Sequence, residues 1–429
     1  KNENWIAEFS ANLSPKYKQS QEDLLSIVKL IYEDWLEQLR ADLSVTRQTN
    51  LIKKVENFYV AGPPLTTEAG QLFVGRRENF DRILQIWRNP LMKSPVVLHG
   101  QRRMGKTSLL YHLSQRLGND YITVLVDFQG LTAEIETEAD LWAGIARNIS
   151  NVFRRQNLVK DELDDPLVVT TAARFTQFLD KVEDVLGSQK WLVILFDEFE
   201  KIEAKIDIGI VPVSFLEYLR NLMQHRQRFL ILLSGHHTLQ ERMKDYWGPM
   251  MGVAKVEHLG YLSDSEARNL ITQPWDGFQL SYEDGVVERL IQVCGGQPML
   301  LQLACSSLIE EVNKVLRTNG PASKPTATLN NLQNVLNRMV HGEEHQNSYY
   351  FDAVWGWLKP EEQKTVKKAA TLAEKTPDGW ISIDQFDVSE RETLDRLVKR
   401  DVFEKQNGNY KFRVELMKNW ITKAELRFS

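Results

Sequence analysis

The chain is poor in several things at once, and each shortage removes a class of protein. Two cysteines in 429 residues, Cys294 and Cys305, cannot staple a disulfide framework, and they fit a reducing, cytoplasmic setting. No apolar run approaches the roughly 18 residues that a membrane-spanning helix needs, so no membrane partner is expected. Charge of one sign is missing too: 53 Lys and Arg stand against 58 Asp and Glu, a net charge of −5. The totals therefore give no reason to expect a polyanion partner. Low-complexity tracts and internal repeats are also missing. The opening "KNENWIAEF" has no signal-peptide core and begins on Lys1, so the chain reads as a fragment with further sequence upstream.

What is present divides into four stretches. Residues 1–59 read as a separate helical N-terminal segment: "QEDLLSIVKLIYEDWLEQLRADL" spaces Leu24, Leu25, Val28, Ile31, Trp35, Leu36 and Leu39 at helical intervals. Gly62 and the pair Pro63–Pro64 then mark a linker or extended arm. Over residues 60–262, apolar runs alternate with amphipathic helices: "PVVLHG", "YITVLVDF", "WLVILFDEF", "RFLILLSG" and, more weakly, "AKVEHLGYL" at 254–262. Unbroken apolar runs suit strands covered on both faces, so this part reads as α/β with a central parallel sheet. Residues 263–330 read as all-helical. They open with a capping-box pair, Ser263 and Glu266, continue through a helix started by Pro298, and end in a polar spacer at 317–331. Residues 331–429 read as a winged-helix domain, with a short β piece at 379–384, a helix over 389–402, and Asn407–Gly408 as a type I′ hairpin turn.

One stretch carries chemistry. Gly100-Gln-Arg-Arg-Met-Gly105-Lys106-Thr107 fits G-x-x-x-x-G-K-[ST] without exception and lies between a strand run and a helix run. This is the P-loop of a nucleoside-triphosphate-binding fold. Gly100, Arg103, Met104, Gly105, Lys106, Thr107 and Ser108 make up the phosphate cradle, where inward-turned N–H groups and a helix N-terminus favour anions. Lys106 pairs with the β and γ phosphates, and Thr107 holds Mg²⁺ through its hydroxyl. The second acidic element such a site needs closes the run "WLVILFDEF": Asp197 for the metal and Glu198 to orient or deprotonate water. Ser234, ending the fourth run, is placed either at the γ-phosphate or as a strand cap. His236 and His237 are expected to be partly exposed bystanders, and His341 with His345 a solvated pair rather than metal ligands.

With these residues in hand, the chain resembles the prokaryotic STAND branch of AAA+-type P-loop ATPases, over roughly residues 60–429. "LFVGRRENFDRIL" resembles the family's VGR box, "GGQP" the GxP motif of its helical lid, and "VKRDVFEKQNGNYKFRVELMKNWI" its winged-helix ending. The resemblance implies that Phe73, Val74, Gly75 and Arg76 border the adenine and that Pro298 presses on the nucleotide from the lid. It implies a five-stranded parallel sheet with the P-loop strand central. It implies ATP and ADP with Mg²⁺, slow hydrolysis, and a switch in which ATP opens the domains for self-assembly or for signalling through an effector. A sensor arginine is not evident; Arg242 and Arg268 are candidates, each better suited to a surface charge. A DNA-binding AAA+ ATPase of origin-recognition or transposition-regulator type shares the same modules. Residues 350–429, however, hold 15 Lys and Arg against 14 Asp and Glu, little charge for a DNA-reading unit. A third reading, a scaffold that never hydrolyses its nucleotide, conflicts with an intact Asp197 and Glu198.

Overall fold

The computed structural model describes residues 28–29, 31–38, 54–88, 94–159, 163–226, 228–236, 252–319, 324–341 and 345–428. Helix α1 (Arg77–Arg88) precedes strand β1 (Val96–His99), which feeds helix α2 (Lys106–Leu117). Then come β2 (Tyr121–Asp127), α3 (Phe128–Glu134), α4 (Glu138–Arg155), α5 (Ala172–Leu186), β3 (Trp191–Asp197), α6 (Glu200–Asp207), α7 (Ser214–His225), β4 (Phe229–Gly235) and β5 (Lys255–His258). All five strands are parallel, in the order β2-β3-β4-β1-β5.

The two-residue period of a strand explains why such runs stay apolar throughout. In β3, Leu192, Ile194 and Phe196 face one core while Val193 and Leu195 face the other. In β4, Phe229, Ile231 and Leu233 oppose Leu230 and Leu232 in the same way. Helices α1 and α2 cover one face through Phe80, Ile83, Leu109 and Leu113. On the other face lie Trp142 of α4, Phe175 and Phe178 of α5, and Phe215 of α7. The central strand is β4, not the P-loop strand; β1 lies between β4 and β5. The fifth strand is shorter than its apolar run: its pairing with β1 ends at His258, with one more bond from the Leu259 N–H to the His99 carbonyl.

Beyond the sheet follow α8 (Asp264–Thr272), β6 (Ser281–Tyr282), α9 (Val286–Cys294), α10 (Pro298–Asn319), β7 (Thr326–Ala327), α11 (Leu329–His341) and α12 (His345–Gly356). The chain ends with α13 (Pro360–Ala373), β8 (Ile381–Ser382), α14 (Val388–Lys399), β9 (Phe403–Gln406), β10 (Asn409–Phe412) and α15 (Glu415–Phe428). The capping box of Ser263 and Glu266 starts α8, and Pro298 opens α10. Residues 263–320 are not wholly helical, since β6 pairs in parallel with β7. The polar stretch 317–331 is no spacer either: it holds the end of α10, strand β7 with its buried Ala327, and the start of α11. Asn407 and Gly408 both have positive φ, 50° and 78°, and join β9 to β10 as the turn signal requires. The helix expected over 389–402 stops at Lys399, because Asp401 takes a left-handed φ of 59°.

One apolar core runs through this whole helical body, from Leu262 to Ile421, and crosses the boundary expected at residue 330. Val55, Tyr59, Leu65 and Leu72 belong to it as well. The N-terminal segment is therefore neither helical nor separate at its end. Residues 54–60 lack regular structure, and several of their polar groups bond to the helical body. Val55 exchanges hydrogen bonds of 2.9 Å with the Asn313 side chain, and the Tyr59 hydroxyl donates to the Leu270 carbonyl. Residues 31–38 are helical, with Ile31, Tyr32 and Trp35 exposed; the remainder of the helical pattern at 21–43, Val28 apart, lies outside the described residues.

Candidate nucleotide site

The loop from Gly100 to Thr107 leaves β1 and enters α2 at the edge where β1, β3 and β4 end together. Two backbone positions fix its course. At Gly100 a Cβ would lie 2.4 Å from the Leu259 carbonyl oxygen, so only glycine lets β1 pass the residue that follows β5. Gly105 caps α2 at φ 87°, the left-handed region that aims the first helical N–H groups into the loop. Lys106 is buried; its ammonium donates to the carbonyls of Gly100 and Gln101 at 3.0 and 2.9 Å, folded back inside the loop. Burial lowers its pKa, because a charged amine there has lost water without gaining a carboxylate in contact.

Across the loop stands the end of β3. The Thr107 hydroxyl donates to Asp197 Oδ2 at 2.6 Å, and Asp197 Oδ1, buried, has no hydrogen-bond partner. Desolvation raises the Asp197 pKa, partly offset by the hydroxyls of Thr107 and Ser234. Glu198 follows in a strained conformation, φ 49°. Burial, and then its neighbour Glu200, raise the Glu198 carboxyl above its usual range.

Between this edge and the helical body lies a cleft of about 540 Å³. Phe73, Val74, Arg76, Arg103, Met104, Gly105, Lys106, Thr107, Ser108, Asp197, Glu198 and Pro298 all line it. Three expected residues do not. Gly75, at φ 72°, is turned against α8, where a Cβ would lie 2.1 Å from Glu266 Oε1; Gly100 faces Leu259; and Ser234 is fully buried behind Asp197. Phe73 stacks on His112, rings 4.2 Å apart. Arg76 commits its guanidinium to the carbonyls of Gly260 and Met104, at 2.7 and 3.0 Å, tying the P-loop to the chain after β5. Burial pushes it down to about 10, so it remains charged at neutral pH.

Sequence reasoning missed part of the lining. Asp127 closes β2 in register with Asp197, and Gln129, Lys201 and Gln302 lie in the same wall. Asp127 ends an apolar run as Asp197 does, so that signal was readable. The segment Val60–Leu65 also borders the cleft: the Leu65 N–H donates to the Ser108 hydroxyl, and Arg103 donates to the Gly62 carbonyl. Only long-range packing puts it there.

The helical body grips the P-loop directly. Gln297 donates to the Arg103 carbonyl at 3.1 Å, and Gln101 donates to the Arg400 carbonyl. Tyr261 bridges the Gln101 side chain and the Asp401 carbonyl, while Asp401 pairs with His258 at 2.8 Å. Trp357 takes Arg102 on its face and His236 at its edge. His236 is therefore buried, not partly exposed, because Trp357 covers it. Arg268 pairs with Glu288 on the surface of α8. His237 and Arg242 lie outside the described residues, as does the side chain of His345; His341 bonds its own helix at the Asn337 carbonyl.

The model of the ATPase_2 family, an ATPase domain predominantly from Archaea, matches residues 73–303, just over half of the 429. The chain belongs to this ATPase family. Among solved structures it is similar to a Walker-type ATPase of Pyrococcus abyssi, at 15% identity and a TM-score of 0.57, covering 85% of this chain and 99% of that one. It is also similar to the ORC2 protein of Aeropyrum pernix in ADPNP and ADP complexes, at 13% identity and a TM-score of 0.47, covering 86% and 98%. The ORC1 protein of the same organism in complex with DNA matches at 11% identity and a TM-score of 0.40, covering 85% and 97%. At 15% identity, the likeness to the Pyrococcus abyssi ATPase speaks for the fold alone, an α/β P-loop fold. No curated protein matches the chain. Among the described residues, no helix is long and apolar enough to cross a membrane.

Proposed function

We propose that the chain is a cytoplasmic regulatory switch of STAND type that binds ATP, hydrolyses it slowly, and couples its nucleotide state to domain opening. Residues 60–262 act as the ATPase core, 263–330 as the helical lid and 331–429 as a winged-helix domain. The N-terminal segment, 1–59, serves effector or partner contacts. The open form assembles with further copies of the chain or engages a protein effector.

The observation that carries this reading is where the helical body takes hold. Gln297 and the Arg400–Asp401 turn are bonded to the P-loop residues Arg103 and Gln101, whose backbone must cradle the phosphates. Each such hydrogen bond contributes only about 1 kcal/mol, so a few new contacts to a γ-phosphate can shift the balance of arrangements.

The site fits Mg²⁺: Asp197 Oδ1 is buried and unpartnered, and the Thr107 hydroxyl adjoins the same carboxylate. Bound Mg²⁺ supplies charge neutralisation for the phosphates. Lys106 exchanges two loop carbonyls for β- and γ-phosphate oxygens. Glu198 takes the proton of the attacking water; its raised proton affinity suits a base, and its strained backbone holds it at the cleft. Phe73, Val74 and Pro298 bound the base end, with Gly75 and Arg76 shaping that wall from behind.

A DNA-binding role is less well supported, because Arg391 and Arg396 of α14, and Arg400 just after it, are engaged within the protein. Arg391 bonds the carbonyls of Ile383 and Phe386, and Arg396 and Arg400 face the buried Glu362. The deciding experiment is molar mass by light scattering with Mg²⁺ and either ADP or a slowly hydrolysed ATP analogue. A larger species with the analogue alone is expected; identical masses would remove the self-assembly arm of the switch. Glu198→Gln is expected to cut turnover about a hundredfold while nucleotide binding persists. Unchanged turnover would remove Glu198 as the base.

A further inference from the structure

Among the described residues, neither Arg268 nor Arg76 is placed to tell ATP from ADP. Arg268 is held by Glu288 on the surface, and Arg76 is fixed on two carbonyls. The P-loop itself offers two adjacent candidates with different fates. Arg103 points to the Gly62 carbonyl, and its own carbonyl is taken by Gln297. Arg102 lies exposed at the mouth of the cleft, on the wall shared with Asp197, Glu198 and Lys201. Its guanidinium rests 5.1 Å from the centre of the Trp357 ring.

We propose that Arg102 is the residue that reads the γ-phosphate in cis, and that Trp357 is the perch that holds it away until that phosphate arrives. The proposal rests on the ATPase reading of the same site. Its geometry is specific: Trp357 follows α12 in the helical body and touches two elements of the phosphate edge at once. Arg102 lies over its face, and His236, which follows β4, meets its edge with rings 4.0 Å apart. The backbone N–H of His236 reaches Glu200, the carboxylate beside Glu198.

A cation on an aromatic face is a weak, exchangeable contact, and a phosphate oxyanion attracts a guanidinium far more strongly. ADP does not extend to the γ position, so Arg102 keeps its perch. ATP draws it off, and the helical body then loses one of its holds on the P-loop. One side chain thereby couples recognition of the third phosphate to release of Trp357.

The test measures Kd for ADP and for ATPγS, together with ATP turnover, in the wild type, Arg102→Ala, Trp357→Ala and the double variant. Arg102→Ala is expected to weaken ATPγS at least about tenfold more than ADP, and to lower turnover about a hundredfold. Trp357→Ala is expected to tighten ATPγS and raise turnover severalfold, a gain that disappears in the double variant. Equal weakening of ADP and ATPγS by Arg102→Ala would overturn the proposal. So would a Trp357→Ala gain that persists without Arg102. Should Trp357→Ala fail to fold, the exposed Arg102→Ala decides alone through its nucleotide discrimination. Wild-type protein that binds neither nucleotide would bring down the ATPase reading, and this proposal with it.

Discussion

The sheet body and the helical body are held together by different means. Within the sheet, β1, β3 and β4 are buried on both faces, and the side chains that matter for phosphate chemistry sit at their ends on a scaffold that cannot shift cheaply. The helical body has its own continuous core, yet it meets the P-loop mainly through polar and aromatic contacts: Gln297, Gln101, Tyr261, Asp401 and Trp357. Among the described residues, Phe73 and Tyr261 are the partly buried side chains that pack against both the helical core and the sheet core beneath the P-loop. The catalytic groups thus sit on one scaffold, and a body with a core of its own rests on them.

The sharpest break in that comparison comes from the rigid side. Lys106→Ala is expected to reduce ATP turnover at least about a hundredfold and to leave the fold intact. Its ammonium touches only loop carbonyls, and its burial as a cation is unfavourable without a bound anion. Steady-state phosphate release and a circular-dichroism melt check both halves; a collapsed melt would show that Lys106 is structural.

From the other side, Gly295→Ala tests how tightly the helical body is packed. Gly295 sits at φ 60°, and a Cβ there would lie 2.0 Å from the Arg413 carbonyl oxygen, which cannot retreat without moving β10. Gly296 is under the same constraint from Leu262 O at 2.3 Å. A loss of about 2–3 kcal/mol is expected, seen as a lower Tm of the helical body with the sheet transition unchanged. Melting of the two bodies in one unshifted transition would contradict their independence.

This asymmetry also explains what could be read from the sequence. The strands were legible because unbroken apolar runs have one sensible home, and Asp197 because an acid ends such a run. The P-loop was legible because its glycines are required by local geometry, as Gly100 and Gly105 show. The helices of the second body were legible through Ser263, Pro298 and the Asn407–Gly408 turn, but the shared core was not, since no local pattern announces that residues 55 and 421 join one cluster. Trp357 and the segment Val60–Leu65 were invisible for the same reason: one reaches Arg102 and the other the cleft from far along the chain. Asp127 was a miss of reasoning, because its signal matched that of Asp197.

A smaller effect separates folding from function inside the rigid half. Burial holds the Asp197 pKa above its ordinary value of 3.8, so the folded protein keeps this proton to higher pH than the unfolded chain does. Stability from this group is therefore full below pH about 3.8 and is lost as pH rises through the folded pKa. Asp197→Asn should raise the Tm of nucleotide-free protein at neutral and alkaline pH, a gain that vanishes on acidification. The same variant should lose the extra stabilisation that Mg²⁺ adds to ADP. Equal Tm values across pH would mean that the buried carboxylate is no burden.

The smallest effect is expected where the chemistry most invites a large one. Arg268 lies on α8, in the helical body, and an arginine there is a natural candidate for sensing nucleotide. In the structure it is about half exposed and pairs with Glu288, itself more than half exposed. Such exposed pairs contribute little to stability. Arg268→Ala should therefore change Tm by less than about a degree and leave turnover and nucleotide affinity at wild-type values. If turnover instead fell tenfold, the helical body would have to swing α8 onto the phosphates during the cycle. The arginine that reads ATP would then belong to the moving half, and Arg102 on the rigid half would be left as a hold for Trp357 and nothing more.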